Sequence, residues 1–583
     1  MALMLLVSCQ QKVERGDADI SLVYTTDVHG RMLNYDFLQQ KATSECLASV
    51  LTYVKQCKSI NPEGVILVDN GDLIEGCPSM YYYNYVDIRH EHLATRVLNY
   101  MGYDVVNLGN HDLECGEAVY YDHLKSGYSM SLLCANAIDT RTGEPMFSPY
   151  CVVERKGYKI AFLGIITADV PQWIPRTAIP HLRFVSIKET AEKWIPIIEK
   201  NEQPDVIVGL IHAGREAVHV QAEDETDFLD GALLTAREVR GFDALLIGHD
   251  HQVMQDTIIN QFGDTIPVLQ PANNSKEVGR MDLHITQRRK DNGHAYMEFK
   301  MRSVPTSQVE PDAEFNKTFE AEIDKINAFL DQSIEQPIAE MDGLKSLTGP
   351  SEVMNLIHSV QLSTSYAQVS MASCLNSFGK IEGGTLSMRQ LFAIYKYENQ
   401  LTKMWMTGSE IRQFLEFGYA RQFSQMRSAA DHLLNFKLKA NGDTIMGRFG
   451  PELVTPQYNF TSAAGINYEV DVRQPAGQRV NILSMADGSA FDPQRRYDVV
   501  LSSYQAAGGG GFLRQGLGWD SKEIERRTIR TTTKDMRYFI RQYLINLNNG
   551  AMSPVLGDWS VVPAAWWTAN RDRDANLLAP YIK

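Results

Sequence analysis

The chain has 583 residues, with 56 Lys and Arg against 71 Asp and Glu, a formal net charge of −15. Hydrophobic residues make up 44% and charged residues 22%, with 41 Gly and 22 Pro, which is ordinary globular composition and excludes collagen-like, low-complexity and wholly disordered classes. The length implies several domains, and an acidic balance without a basic block excludes a nucleic-acid polymer as the main partner.

The chain begins with an apolar stretch that ends in Leu6-Val7-Ser8-Cys9. Apolar and small residues before a cysteine have the form of a lipobox, whose cysteine is acylated, and the polar segment Gln10 to Asp19 follows as a tether. Residues 1–19 are therefore read as lipoprotein signal and tether. Two features depart from that pattern: no Lys or Arg precedes the apolar run, and the run is shorter than the usual ~7–15 residues. The alternative is an apolar N-terminus with an incidental cysteine. Acylation of Cys9 would tie the chain to a membrane surface; no later run of ~18 apolar residues offers a spanning helix. The remaining cysteines, Cys46, Cys57, Cys77, Cys115, Cys134, Cys151 and Cys374, show no CxxC or other zinc spacing. They read as small buried apolar side chains without a disulfide framework.

From residue 20 to about 305, short β-branched runs alternate with helical stretches. The runs are Ile20–Tyr24, Val65–Val68, Asp104–Leu108, Ile160–Ile165, Val206–Ile211 and Ala244–Ile247. Such runs, ended by Gly, Asn or Asp, suit buried strands of a layered α/β domain. Pro311-Asp312 then opens a helix whose apolar positions Phe315, Phe319, Ile323, Ile326 and Leu330 share one face. It is read as the connector, within 306–340. Residues 341–545 read as a second, smaller α+β domain, and 546–583 as an irregular tail bearing Trp559, Trp566 and Trp567.

Five polar clusters follow strand-like runs: Asp27 to Gly30, Asp69 to Asp72, Gly109 to Glu114, His212 to Gly214, and Gly248 to His251. The carboxyl ends of strands in an α/β domain form one rim where ligands collect, so these clusters can converge. Each alone is more often a surface turn than a site; five in order, each at a strand end, are not coincidence. Asp27, His29, Asp72, Asn110, His212, His249 and His251 supply oxygen and imidazole donors without thiolate, a mix suited to Mn, Fe, Zn or Ca-type ions. Seven donors are too many for one tetrahedral ion and suit two that share a carboxylate, the arrangement that clamps both oxygens of a phosphoryl displacement. Twelve of the 14 histidines fall in the first 294 residues, as a localised site requires. His90 and His92, two apart on an expected helix, would face different ways and read as incidental.

In this order the motifs Asp-x-His, Gly-Asp, Gly-Asn-His-Asp, His and Gly-His-x-His resemble the calcineurin-like metallophosphoesterases, and Thr25–Gly30 with Gly109–Glu114 narrow the resemblance to the exported 5′-nucleotidase group. The resemblance implies an α/β fold: a four-layer α/β/β/α phosphoesterase domain joined by a helix to a smaller α+β nucleotide-specificity domain. It implies two divalent metal ions (Mn, Zn, Fe, Co or Ca). Asp27, His29, Asp72 and His251 would hold one; Asp72, Asn110, His212 and His249 the other. His111 would be the catalytic histidine, with Glu114 in place of the family's usual Asp as its partner. The implied partner is a nucleotide substrate, and the expected state a monomer that is periplasmic or lipid-anchored at the cell envelope.

The resemblance also places the nucleotide base between two aromatic rings, here Tyr458 and Tyr504, with Asn376 beside them. Stacking of this kind tolerates any base. Two departures weaken a plain 5′-nucleotidase reading. Asn376-Ser-Phe-Gly-Lys-Ile381 lacks the arginine of the family's Asn-x-Gly-Gly-x-Arg, leaving only Lys380, and Gly508–Gly511 stands where an acidic residue often follows the second ring. By contrast Leu391–Asn399 and Gly465–Pro475 resemble the sibling branch of 2′,3′-cyclic-nucleotide 2′-phosphodiesterase/3′-nucleotidases. That is the expected activity. A 5′-nucleotidase/UDP-sugar hydrolase and a non-catalytic nucleotide-binding lipoprotein are the alternatives. Closure about a hinge near 310–340 would bring substrate and metals together.

Overall fold

The computed structural model describes residues 16–221, 227–289, 294–377, 379–447 and 450–578; Cys9 and the segment expected to be a lipobox lie outside them. The first half is built on twelve principal strands. They are β1 (Ala18–Thr25), β2 (Val65–Asp69), β3 (Val105–Asn107), β4 (Leu132–Leu133), β5 (Tyr150–Arg155), β6 (Tyr158–Ile166), β7 (Val206–His212), β8 (Ala244–Ile247), β9 (Met254–Ile259), β10 (Thr265–Gln270), β11 (Glu277–Arg289) and β12 (Ala295–Pro305). One six-stranded sheet has the order β12-β11-β1-β2-β3-β4 and the other β9-β10-β8-β7-β6-β5. Within each, the strands that lead to polar clusters run parallel, so their carboxyl ends share a rim.

The runs are apolar throughout because both faces are covered. In β1 the side chains alternate. Ile20, Leu22 and Tyr24 meet Phe162, Val208 and Leu246 of the facing sheet. Val23 turns outward, into the core cluster that also holds Val50 and Val54 of α1 (Leu47–Ile60) and Val97 and Leu98 of α2 (Leu93–Met101). On the other outer face, Leu163 and Ile207 bury against Ile195 and Ile198 of α3 (Ile187–Glu202). The layers are therefore α/β/β/α. Each fully buried Ile or Leu contributes about 1.5–3 kcal/mol of transfer free energy, so the sandwich is a firm base for its rim.

The connector helix α4 (Ala313–Leu330) starts where expected, its first turn capped by Asp312, which accepts from the Phe315 amide at 2.9 Å. It lies against the first half: Asp312 pairs with Lys55 at 2.7 Å and Glu322 with Arg96 at 2.6 Å. The second half centres on a five-stranded sheet of Thr461–Ala464, Val369–Ser373, Arg496–Ser502, Gln400–Thr407 and Thr528–Asp535, in that order. The seven cysteines in the described residues are all free.

The end of the chain differs from the irregular tail expected. Trp559–Val562 adds a parallel strand to Ile466–Asp471, and Ala564–Leu578 is a helix. Trp559 stacks on Tyr468, ring centroids 5.5 Å apart and 2° from parallel, and the Trp567 indole donates to the Thr348 carbonyl at 2.7 Å. Asp574, fully buried, accepts from the amides of Leu433 and Leu434 at 2.6 and 3.0 Å. The buried face of this helix mixes polar Asn570 and Asp574 with Ala575 and Leu578, so it carries no continuous apolar stripe for sequence periodicity to reveal.

Candidate active site

The loops that carry the polar clusters are zipped backbone to backbone. The amides of Asp27 and His29 donate to the carbonyls of Gly71 and Asp72, both at 2.9 Å. Only glycine fits where the second and third loops touch: a Cβ on Gly71 (φ +88°) would sit 2.2 Å from the Gly109 nitrogen. Asp112 fastens the same pair, accepting from the amides of Asp72, Leu73 and Gly109 at 3.0, 2.8 and 2.8 Å. The two sheets are tied just beneath. Tyr24 donates to the Ile247 carbonyl, and the Asn107 amide reaches Asn70 at 2.8 Å and the Leu210 carbonyl at 3.2 Å.

The two rims thus meet, and the seven donor residues meet with them. Ligand atoms of Asp27, His29, Asp72 and His251 all lie within 4.8 Å of one another, as do those of Asp72, His212 and His249; Asp72 belongs to both groups. Asn110 joins the second group, its Oδ1 2.7 Å from His249 Nδ1. Several features show that the cluster fits cations. His212 Nε2 and Asp72 Oδ2 are 3.1 Å apart, yet both are buried without a hydrogen bond. Two imidazole nitrogens, His29 Nε2 and His251 Nε2, approach to 3.0 Å. Asp27, His29, Asp72, His249 and His251 all hold positive φ, from 48° to 88°, a strain of roughly 1–3 kcal/mol each that persists only where the surroundings impose it. Burial opposes charge on Asp72, yet His212, His111 and His29 keep its carboxyl well below the usual range.

His111 stands beside this cluster. Its Nδ1 is 2.7 Å from Glu114 Oε1, so the longer side chain in place of Asp reaches. Burial works against a charged His111, but Glu114, Asp72 and Glu75 outweigh it and hold its pKa well above the ordinary histidine value. A cavity of about 230 Å³ opens here, lined by Glu75, His111, Glu114 and Trp173 from the first half and by Tyr397, Glu398, Tyr458, Ser503 and Tyr504 from the second. Both tyrosines expected to hold a base therefore share a cavity with His111. Asn376 does not: its side-chain amide donates to the Ala393 carbonyl at 2.7 Å, and it is no part of the cavity lining. Ala393 lies in the short helix Met388–Ile394, so this bond ties the Asn376 loop to that helix. His92 is not on a helix face either. It precedes α2 and caps it, Nδ1 accepting from the Ala94 amide at 3.1 Å.

Trp173, Glu398 and Glu75 are among the lining residues that were not anticipated. Trp173 stacks on His249, centroids 5.3 Å apart. Glu398 is buried at 5% exposure, with one carboxyl oxygen 3.7 Å from Arg537. Glu75, three residues after Asp72, is buried at the cavity wall.

Family models match both halves. Residues 20–253 match the calcineurin-like phosphoesterases, and residues 333–515 match the C-terminal domain of 5′-nucleotidases. The chain is a calcineurin-like metallophosphoesterase with a 5′-nucleotidase C-terminal domain. It is a hydrolase of phosphoric esters, and calcineurin-like phosphoesterases use a dimetal site, to which the Asp/His cluster corresponds in chemistry. This phosphoesterase is 25% identical to the trifunctional nucleotide phosphoesterase protein of Bacillus subtilis, aligned over 92% of this chain but only 39% of that one. It is also 25% identical to the 2′,3′-cyclic-nucleotide 2′-phosphodiesterase/3′-nucleotidase of Salmonella typhimurium, over 85% of this chain and 82% of the relative. The fold is shared with the 5′-nucleotidase precursor of Thermus thermophilus (TM-score 0.59, 19% identical, 94% of this chain and all of the other). A solved Staphylococcus aureus structure gives a TM-score of 0.73 at 20% identity, over 93% of this chain.

Proposed function

We propose that this phosphoesterase hydrolyses nucleotides, opening 2′,3′-cyclic nucleotides to 3′-nucleotides and then releasing nucleoside and phosphate. The observation that carries the reading is the single cavity that Tyr458 and Tyr504 share with His111 and Glu114. A base stacked on these rings gains about 1–3 kcal/mol whichever base it is. With its Nδ1 engaged by Glu114, His111 keeps Nε2 to hold the proton that the leaving oxygen needs. Two divalent ions, in the Asp27-His29-Asp72-His251 group and the Asp72-Asn110-His212-His249 group, would neutralise phosphate charge and supply Lewis acidity for an in-line displacement.

Two observations favour the cyclic-nucleotide branch. The segment Leu391–Asn399, which resembles that branch, contributes Tyr397, Glu398 and Asn399 to the cavity. The cavity lining also holds three glutamates and, among the described residues, no Lys or Arg, a poor setting for the second phosphate of a UDP-sugar. Export rests on Leu6–Cys9; no described helix is long and apolar enough to cross a membrane.

The test is phosphate and nucleoside release from 2′,3′-cyclic AMP, 3′-AMP, 5′-AMP and UDP-glucose, with Mn²⁺ and again with EDTA. Chelator-sensitive turnover of the first two with little on 5′-AMP is expected. Preference for 5′-AMP or UDP-glucose would overturn the branch, and binding without turnover of any substrate would overturn catalysis itself.

A further inference from the structure

Glu75 is a buried carboxylate, 5% exposed, whose oxygen Oε2 lies 3.4 Å from His29 Nδ1 and 4.0 Å from His111 Nδ1. His111 Nδ1 is already taken by Glu114 at 2.7 Å. His29 Nδ1 is buried and has no hydrogen bond, while the opposite nitrogen of the same ring, Nε2, faces His251 and the candidate metal point.

The backbone sets this pairing. His29 and Gly30 donate to the carbonyls of Asp72 and Leu73 at 2.9 and 2.8 Å, and Asn84 anchors the Ile74 carbonyl at 2.7 Å. That register leaves Glu75 opposite His29. Gly76 (φ +97°) closes the gap, since a Cβ there would lie only 3.2 Å from the His29 Cβ. A histidine that ligates a metal through one nitrogen is commonly oriented through the other, by a carboxylate that fixes the tautomer and ring plane.

We infer that Glu75 is a positioning residue, holding His29 Nδ1–H so that Nε2 is presented to the metal of the Asp27-His29-Asp72-His251 group. The inference rests on the dimetal reading of the cluster. A carboxylate that only added negative charge would act at any length of side chain, whereas one that accepts from Nδ1–H must reach it.

The experiment measures Mn²⁺ bound to the full protein at controlled free Mn²⁺, by equilibrium dialysis and elemental analysis, for wild type and Glu75→Leu, Glu75→Gln and Glu75→Asp. Glu75→Leu is expected to weaken one of two Mn²⁺ equivalents about 10–100-fold, leaving the other unchanged. Glu75→Gln keeps an acceptor at the same reach and should stay within about fivefold; Glu75→Asp, one methylene shorter, should bind worse than Glu75→Gln. That order decides the matter even if the Leu variant does not fold. Wild-type binding of two equivalents in Glu75→Leu, or Asp outperforming Gln, would overturn the inference alone. A wild type that binds no Mn²⁺ would overturn the dimetal reading and the inference with it.

Discussion

Glu114→Gln isolates one contact in the proposed chemistry. Glu114 Oε1 lies 2.7 Å from His111 Nδ1, with both side chains largely covered, at 23% and 29% exposure. A hydrogen bond to a charged group contributes about 1.5–3 kcal/mol, and its neutral counterpart roughly half as much. Replacing the carboxylate by an amide of the same length should therefore remove about 1–1.5 kcal/mol, close to a tenfold fall in kcat/KM for 3′-AMP. The loss should fall on kcat, because Glu114 acts through His111. His111→Ala alone should cost about 10²–10⁴, and adding Glu114→Gln to it should cost nothing more. Phosphate release under Mn²⁺ saturation measures all three variants. A single variant within twofold of wild type, or the same tenfold loss without His111, would refute the reasoning.

Three other outcomes are expected. A Cβ on Gly509 would lie 2.5 Å from the Tyr504 ring. Gly509→Ala should therefore tilt that ring and raise KM toward the value for Tyr504→Ala, a loss of about 1–3 kcal/mol in binding; an unchanged KM would remove Tyr504 from the binding site. His92 and His358 are buried and neutral, burial holding both near a pKa of about 3. The unfolded chain protonates them near pH 6.5 and the folded one does not, so stability is lost as pH falls from there toward about 3, by ~1.4 kcal/mol per unit for each. His358→Gln should flatten the acid slope of urea unfolding in the C-terminal half, and an identical slope would refute this. Finally, Cys9→Ala should move the protein from the membrane to the soluble fraction of its cells, and an unaltered distribution would exclude the lipid anchor.

Much of this molecule is legible in one dimension because its strands are buried on both faces. A strand covered on two sides must be apolar throughout, so Val65–Val68 and Val206–Ile211 announce themselves, and the polar residues that follow each mark a strand end. The same logic fails for the last helix, Ala564–Leu578, whose buried face includes the polar Asn570 and Asp574 beside Ala575 and Leu578 and so leaves a weak periodic signal. For Asn376 the local string says nothing of where the amide points; in the fold it donates to the Ala393 carbonyl. Glu75 lay beside the motif, but its task depends on which histidine faces it across two zipped loops.

The sequence by itself determined the donor types, their order and the strand ends on which they sit. Only the tertiary structure decided that the two rims meet and that Tyr458 and Tyr504 open onto the cavity of His111. The reason is physical. Strand-end chemistry is a local property of the chain, whereas convergence depends on sheet-to-sheet packing and on glycine contacts such as Gly71 on Gly109. Those join residues far apart in sequence and appear only when the backbone is folded.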